Sequence, residues 1–197
     1  MRAKTWKALI VAALAVVILT AAVGGTMAWL STKTQDLTNT FVPAKVTCKV
    51  VEPGWVNGTS ATKSNVSIQN TGTTDAYIRA MIVANWCTAA DTNGKTKVVA
   101  PYAVNASHFP GLPGSDWVKH SDGFYYYTKP VAPNQTTDSY LFTSCTPNNA
   151  EKPEGADHLE VNIICQAVQS TPAAAVGEAW KVTIAPNSVT AYSSTGN

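Results

Sequence analysis

The chain has 197 residues, of which only 13% are charged, against about 25% in a typical soluble protein. Its formal charge of +2 is misleading, because Arg2, Lys4 and Lys7 precede residue 29 whereas all twelve acidic residues follow it. From residue 29 onward, eleven basic and twelve acidic residues give a formal charge of −1, and Arg79 is the only arginine. Nucleic-acid binding requires clustered Lys and Arg at the phosphates, so we expect no nucleic-acid partner.

The first 28 residues have the order of a secretory signal. A basic start is followed by the apolar run ALIVAALAVVILTAAV (8–23) and by small residues at Thr26 and Ala28. This order predicts a signal peptide over 1–28 that is cleaved before Trp29, and therefore a secreted protein. Two alternatives are a retained membrane anchor, since the apolar run approaches the length of a bilayer span, and the assembly helix of a pilin. The next residues, WLSTKTQDLTNTF, favour extended structure over a continued helix.

The remaining chain predicts an N-terminal extended segment over 29–44 and one all-β domain over 45–197. Short runs rich in Val, Ile, Tyr, Thr and Trp alternate with Gly, Pro, Asn and Asp, which is typical of a β-sandwich of Greek-key or jelly-roll type with about eight strands. The predicted strands are 45–52, 64–70, 77–86, 97–104, 123–128, 137–143, 159–168 and 180–184, with a short helix at 173–178. Segment 77–86 is apolar on both faces, so we expect it in the middle of a sheet.

Four cysteines in an exported chain suggest disulfides, although the sequence alone allows three pairings. Cys48 and Cys165 both fall on the apolar side of a predicted strand, and Cys87 and Cys145 both fall where a strand ends. We therefore predict pairing of Cys48 with Cys165 and of Cys87 with Cys145. Four reduced thiols are the alternative, since buried free cysteine is common. No spacing of Cys or His predicts a zinc site.

No catalytic motif is present, so we predict neither an enzyme nor a cofactor. His108, His120 and His158 are isolated and are expected in solvated loops. Aromatic residues offer a different chemistry, because they could stack on sugar rings. At alternating strand positions, however, aromatic side chains are more often core and cross-strand pairs. These aromatics are Trp86, Trp117, Tyr125, Tyr126 and Tyr127.

Several segments together resemble the TasA and camelysin-like family of secreted biofilm-matrix fibre proteins of Gram-positive bacteria. The resemblance covers most of the chain and depends on the order of its parts. These parts are GGTMAWLST (24–32), LTNTF (37–41), the strand at 45–52, SNVSIQNTGTTDAYIRAMIVANW (64–86), DGFYYYTKPVAPNQTT (122–137) and LEVNIICQAVQST (159–171).

The resemblance implies a jelly-roll domain that is exported with the help of a signal peptidase of the SipW type and self-associates into extracellular fibres. Other matrix or cell-surface components are further expected partners. In such fibres the segment freed by cleavage, here 29–41, adds as a strand to the neighbouring subunit. Its candidate anchors are Trp29, Leu30, Leu37 and Phe41. The same segment could instead fold back onto its own domain or remain disordered.

Two other functions remain open from the sequence. One is a monomeric surface adhesin that binds sugars through Trp117 and the tyrosines at 125–127. The other is a secreted metallopeptidase, because some relatives carry that label. The chain offers no metal-ligand spacing to support the peptidase, and the four cysteines are not expected throughout the family.

Overall fold

The computed structural model describes residues 44–53 and 62–194, and the chain there is all-β in class, as predicted. Its strands are β1 (Cys48–Val51), β2 (Lys63–Asn70), β3 (Ala76–Cys87), β4 (Val98–Pro101), β5 (Trp117–Lys119), β6 (Tyr125–Tyr127), β7 (Phe142–Cys145), β8 (His158–Gln169), β9 (Val182–Ala185) and β10 (Ser188–Ala191). One short α-helix, α1 (Ala174–Trp180), and a 3₁₀ turn (Asn149–Glu151) accompany them.

The strands form two larger antiparallel sheets and one hairpin. The first sheet has the order β1-β2-β7, and β9 pairs with β10. The second sheet is built around β3, which pairs with β8 over its whole length on one side. On its other side β3 pairs first with β6 and then with β4, and β5 lies beyond β6. The central position predicted for the segment 77–86 is therefore confirmed.

One cluster of buried side chains joins the two larger sheets. Val66 and Ile68 of β2 enter it, as the alternation of the sequence predicts, and both are fully buried. From β3 come all five apolar residues predicted on one face, and each of them is buried. These are Ile78, Ala80, Ile82, Ala84 and Trp86.

The opposite face of the second sheet carries a smaller cluster. Helix α1 and the β9–β10 hairpin cover Tyr126 there, and Val176 and Val182 are buried against it. Gly177 is required in α1, because a Cβ at this position would overlap the ring of Tyr192. The sequence predicted this helix at nearly the same place, but it did not predict β10.

The predicted strand at 137–143 is mostly a loop, and only β7 at its end is regular. The loop is nevertheless bonded to β2, since the amides of Thr137 and Leu141 donate to the carbonyls of Ile68 and Val66 at 2.9 and 2.7 Å. Its apolar alternation reflects real burial of Leu141, which is why the pattern resembles a strand. The segment is not a regular strand because its hydrogen bonds are irregular, and a side-chain pattern does not encode that irregularity.

Candidate functional site: an open sheet edge and a cysteine pair

Strand β8 forms one edge of the second sheet. Its twelve residues all pair with β3, and no other described strand pairs with β8. The other edges of the two sheets are formed by strands of only three or four residues. Within residues 44–53 and 62–194, β8 is therefore by far the longest strand with an unpaired side.

The hydrogen bonds of β3 show which backbone groups of β8 point outward. Ala76 exchanges both backbone hydrogen bonds with Val131, at 3.0 and 2.8 Å, and the amide of Tyr102 donates to the carbonyl of Ala84 at 2.8 Å. Even-numbered residues of β3 thus point away from β8, because antiparallel strands alternate the direction of their hydrogen bonds. The odd-numbered residues of β3 then bond to β8.

The register between β3 and β8 shows which residues of β8 direct their backbone groups outward. Because Met81 is opposite Ile164, the even-numbered residues of β8 use their amides and carbonyls in the ladder with β3. The odd-numbered residues direct theirs to the open side. These outward-directed residues include Val161, Ile163, Cys165 and Ala167.

Among the described residues, nothing gives the open side of β8 the usual protection against pairing with another chain. Edge strands are commonly protected by lysine, proline or a covering loop. The shorter edge strands have such features: β1 contains Lys49, β5 contains Lys119, β4 ends at Pro101, and a loop covers β7, where Thr143 donates to the carbonyl of Pro110 at 2.9 Å. Residues 161–169, VNIICQAVQ, contain no proline and no charged residue.

The core is also incompletely covered along β8. The core-facing side chains of β3 are buried, whereas those of β8 are only partly buried. Strand β1, which packs against β8 from the first sheet, likewise has partly buried Cys48 and Val50. On the outer face of β8, Ile164 is 48% exposed. The margin between β1 and β8 is therefore an apolar edge at which a further strand could bury more surface.

Cys48 and Cys165 lie together at this margin. All four cysteines are thiols in the structure, and the side chains of Cys48 and Cys165 interact with each other. This interaction raises the pKa of Cys48, as does its burial, and it lowers the pKa of Cys165. The two residues that were predicted to pair are thus neighbours on strands of different sheets.

Cys87 and Cys145 have different surroundings from each other. Cys87 is buried at the end of β3, where its thiol donates to the carbonyl of Asn85 at 3.7 Å, and burial followed by the Glu160 carboxylate raises its pKa. Cys145 is buried at the end of β7, where burial raises its pKa to about 11 although Lys63 lowers it. Both cysteines end strands as predicted, and each is a thiol.

The aromatic residues considered for sugar binding are all in the core. Each of the five is at most 3% exposed. Trp117 packs on Tyr127 with ring centroids 5.2 Å apart, and its indole N–H donates to the carbonyl of Ser139 at 3.1 Å. Tyr127 in turn accepts from the amide of Asp138 at 3.0 Å. The proposed stacking platform is therefore not at the surface, and the core interpretation of these residues is correct.

The histidines are better anchored than the sequence suggested. His108 stacks on Tyr102 with centroids 4.3 Å apart and bonds to Glu151 at 3.0 Å and to the carbonyl of Ala103 at 2.9 Å. These two bonds, the backbone one first, raise its pKa. His158 is the first residue of β8 and not a loop residue. Local sequence gave no sign of the contact between His108 and Glu151, because these residues are 43 positions apart in the chain.

Arg79 is the centre of a polar and aromatic cluster that the sequence did not predict. Its guanidinium lies 4.0 Å from the Phe124 ring centroid and 4.8 Å from that of Trp180. It also donates to Gln166 at 2.7 and 2.8 Å and to the hydroxyl of Tyr126 at 2.9 Å. These contacts tie α1 and β6 to the middle of the second sheet and leave Arg79 few free donors.

Part of the predicted site falls outside the described residues. This applies to the cleavage residues Thr26, Ala28 and Trp29 and to the anchors Leu30, Leu37 and Phe41. In the part of the chain that the structure describes, no three His, Cys, Asp or Glu side chains are grouped so that they could hold a metal ion. No helix in that part is long and apolar enough to cross a membrane.

Comparisons of the chain with protein-family models, curated proteins and solved structures find no match. The family resemblance therefore continues to depend on the sequence segments given above.

Proposed function

We propose that the chain is an exported structural subunit of extracellular fibres, with a jelly-roll domain and a strand that it donates to the next copy. In this proposal, removal of residues 1–28 by a signal peptidase of the SipW type frees segment 29–41. That segment then adds to the sheet of a neighbouring subunit and extends the fibre in the biofilm matrix or at the cell surface.

The observation that carries the proposal is the open edge of β8. Adding a strand there would satisfy a row of outward-directed amides and carbonyls and cover partly buried core side chains. The lengths also agree, because β8 has twelve residues and segment 29–41 has thirteen. A head-to-tail contact of this kind generates open filaments when its rotation does not close into a ring.

The donor segment has suitable chemistry for such an edge. In WLSTKTQDLTNTF, the threonines have high strand propensity and the anchors Trp29, Leu30, Leu37 and Phe41 provide apolar side chains. The acceptor edge at 161–169 is uncharged. The apolar anchors would meet no charged residue in that stretch, so main-chain pairing and apolar burial would supply the affinity.

Truncation tests the donor. Protein that begins at Trp29 should form filaments visible by electron microscopy, whereas protein that begins at Lys45 should remain a folded monomer. Residues from Ala44 onward form one compact unit, so the shorter protein retains the described core. Identical filaments from both proteins would eliminate the donor role of 29–41.

A matched pair of lysine substitutions tests the acceptor. Ile164 on β8 and Val98 on β4 are both exposed strand residues, at 48% and 63%. Ile164→Lys places a charge on the proposed edge and should slow filament growth at least about tenfold, because lysine discourages edge pairing. Val98→Lys should leave growth unchanged. Equal growth of the two variants would remove β8 as the acceptor without affecting the truncation result.

A further inference from the structure

The second feature of the β1–β8 margin is its pair of thiols, which the fibre proposal does not use. Cys48 is in the first sheet and Cys165 is in the second, and both side chains are partly buried against the shared core. Their strands pack against each other, and the two side chains interact. A bond between these sulfurs would link the two sheets where only side-chain packing joins β1 to β8.

We propose that Cys48 and Cys165 are an oxidation site that forms a single disulfide after export, while Cys87 and Cys145 remain thiols. The oxidant is a disulfide, either a small molecule or the active-site disulfide of an extracytoplasmic thiol oxidoreductase. This assignment keeps one of the two pairings predicted from the sequence and replaces the other.

The exchange proceeds in two steps. A thiolate is the attacking species in disulfide exchange, and the interaction with Cys48 lowers the pKa of Cys165. Cys165 attacks one sulfur of the oxidant and releases the other sulfur as a thiolate. Cys48 then loses its proton to that thiolate or to water and attacks the Cys165 sulfur, which releases the second sulfur of the oxidant. Two electrons pass from the protein to the oxidant, which is left as two thiols.

The other two cysteines lack these conditions. Cys87 and Cys145 are each at most 2% exposed, so an oxidant has little access to them. The neighbours of Cys87 are the carbonyl of Asn85 and the carboxylate of Glu160, which both disfavour a negative sulfur. Burial disfavours the thiolate of Cys145. A thiol with these surroundings is inert in exchange.

Mass spectrometry of the exported protein tests the assignment. The protein is trapped with acid, alkylated with iodoacetamide in denaturant and digested without reduction. We expect one linked peptide pair that contains Cys48 and Cys165, with Cys87 and Cys145 both alkylated. A linked pair that contains Cys87 or Cys145, or four alkylated cysteines, would overturn it. The readout requires no fibres, so its failure and that of the fibre proposal are separate.

Reaction of the reduced full chain with glutathione disulfide tests the pairing by a second route. Cys48→Ser should stop at a mixed disulfide between Cys165 and glutathione, and Cys165→Ser should stop at one between Cys48 and glutathione, because each variant lacks the thiol that completes the exchange. The matched control, the double variant Cys87→Ala and Cys145→Ala, should form the Cys48–Cys165 link at the unchanged rate. An internal disulfide in either single variant, or loss of the link in the double variant, would overturn the assignment.

Discussion

Replacement of Asn70 should be among the most damaging single changes in the described domain. Asn70 ends β2 and is fully buried. Its side-chain amide donates to the carbonyls of Thr74 and Val131, both at 2.8 Å, and its side-chain oxygen accepts from the amide of Gly72 at 2.8 Å. One side chain thus holds the turn after β2 and the loop at Val131 together, and Asn70→Ala removes all three bonds.

The expected loss of stability depends on which hydrogen bonds each partner of Asn70 keeps after the substitution. The carbonyl of Val131 still accepts from the amide of Ala76 at 3.0 Å. Loss of its hydrogen bond from Asn70 therefore costs only the ordinary net value of about 1 kcal/mol. The amide of Gly72 is left buried with no other described partner, which costs about 1–3 kcal/mol. With about 1 kcal/mol for the partly buried carbonyl of Thr74, the expected loss is roughly 3–5 kcal/mol of a total stability of about 5–15 kcal/mol.

Urea unfolding followed by tryptophan fluorescence measures this loss. The midpoint should fall while the slope stays constant, since a change of slope indicates a change in the unfolded state. Asn162→Ala, at an exposed position of β8, is the matched control and should change stability by less than about 0.5 kcal/mol. Asn70→Asp keeps the acceptor but loses both donors, so its deficit should shrink as the pH falls and one donor is restored by protonation. A loss below about 1 kcal/mol in Asn70→Ala would refute the reasoning.

Three further predictions concern the second sheet and its margin. Arg79→Met should lower the free energy of unfolding, measured in urea, by about 2–3 kcal/mol, because it removes charge-assisted hydrogen bonds and the contacts with two aromatic rings. Arg79→Lys should recover only part of this loss, since lysine lacks the planar guanidinium. Equal stability of Arg79→Lys and wild type would contradict this prediction. Cys48→Ser should lower the stability of the oxidised protein by about 2–4 kcal/mol relative to oxidised wild type. The loss should be much smaller when both proteins are reduced, as measured by thermal unfolding with and without reductant. An equal loss in both conditions would argue against the disulfide. Ala167→Pro should leave the monomer folded, because the amide of Ala167 points to the open edge and proline is tolerated at sheet edges. The same substitution should reduce filament growth seen by electron microscopy. Unchanged growth would count against strand pairing at that position.

The sequence predicted the parts of the fold that depend on side-chain periodicity. Alternation in β2 correctly assigned Val66 and Ile68 to the core, and the apolar character of both faces of β3 correctly placed it inside a sheet. The pattern was less informative for 137–143, because burial of Leu141 imitates a strand. The buried aromatics were also predicted as core residues, although Tyr126 lies in the smaller cluster on the opposite face of the sheet from Tyr125 and Tyr127.

What the sequence determined by itself is the all-β class and the buried faces of β2 and β3, whereas export and the strand-like character of 29–41 stay predictions. Only the tertiary structure decided that β8 is an edge and that the Cys48 and Cys165 side chains interact, while Cys87 and Cys145 have other neighbours. The physical reason is that periodicity reports which face of a strand is buried, whereas the partner of each edge is chosen by contacts between residues far apart in the chain. The run VNIICQAVQ, which has no charge and no proline, was the one sign of an open edge in the sequence. It indicates such an edge only because no described strand pairs with the outer side of β8.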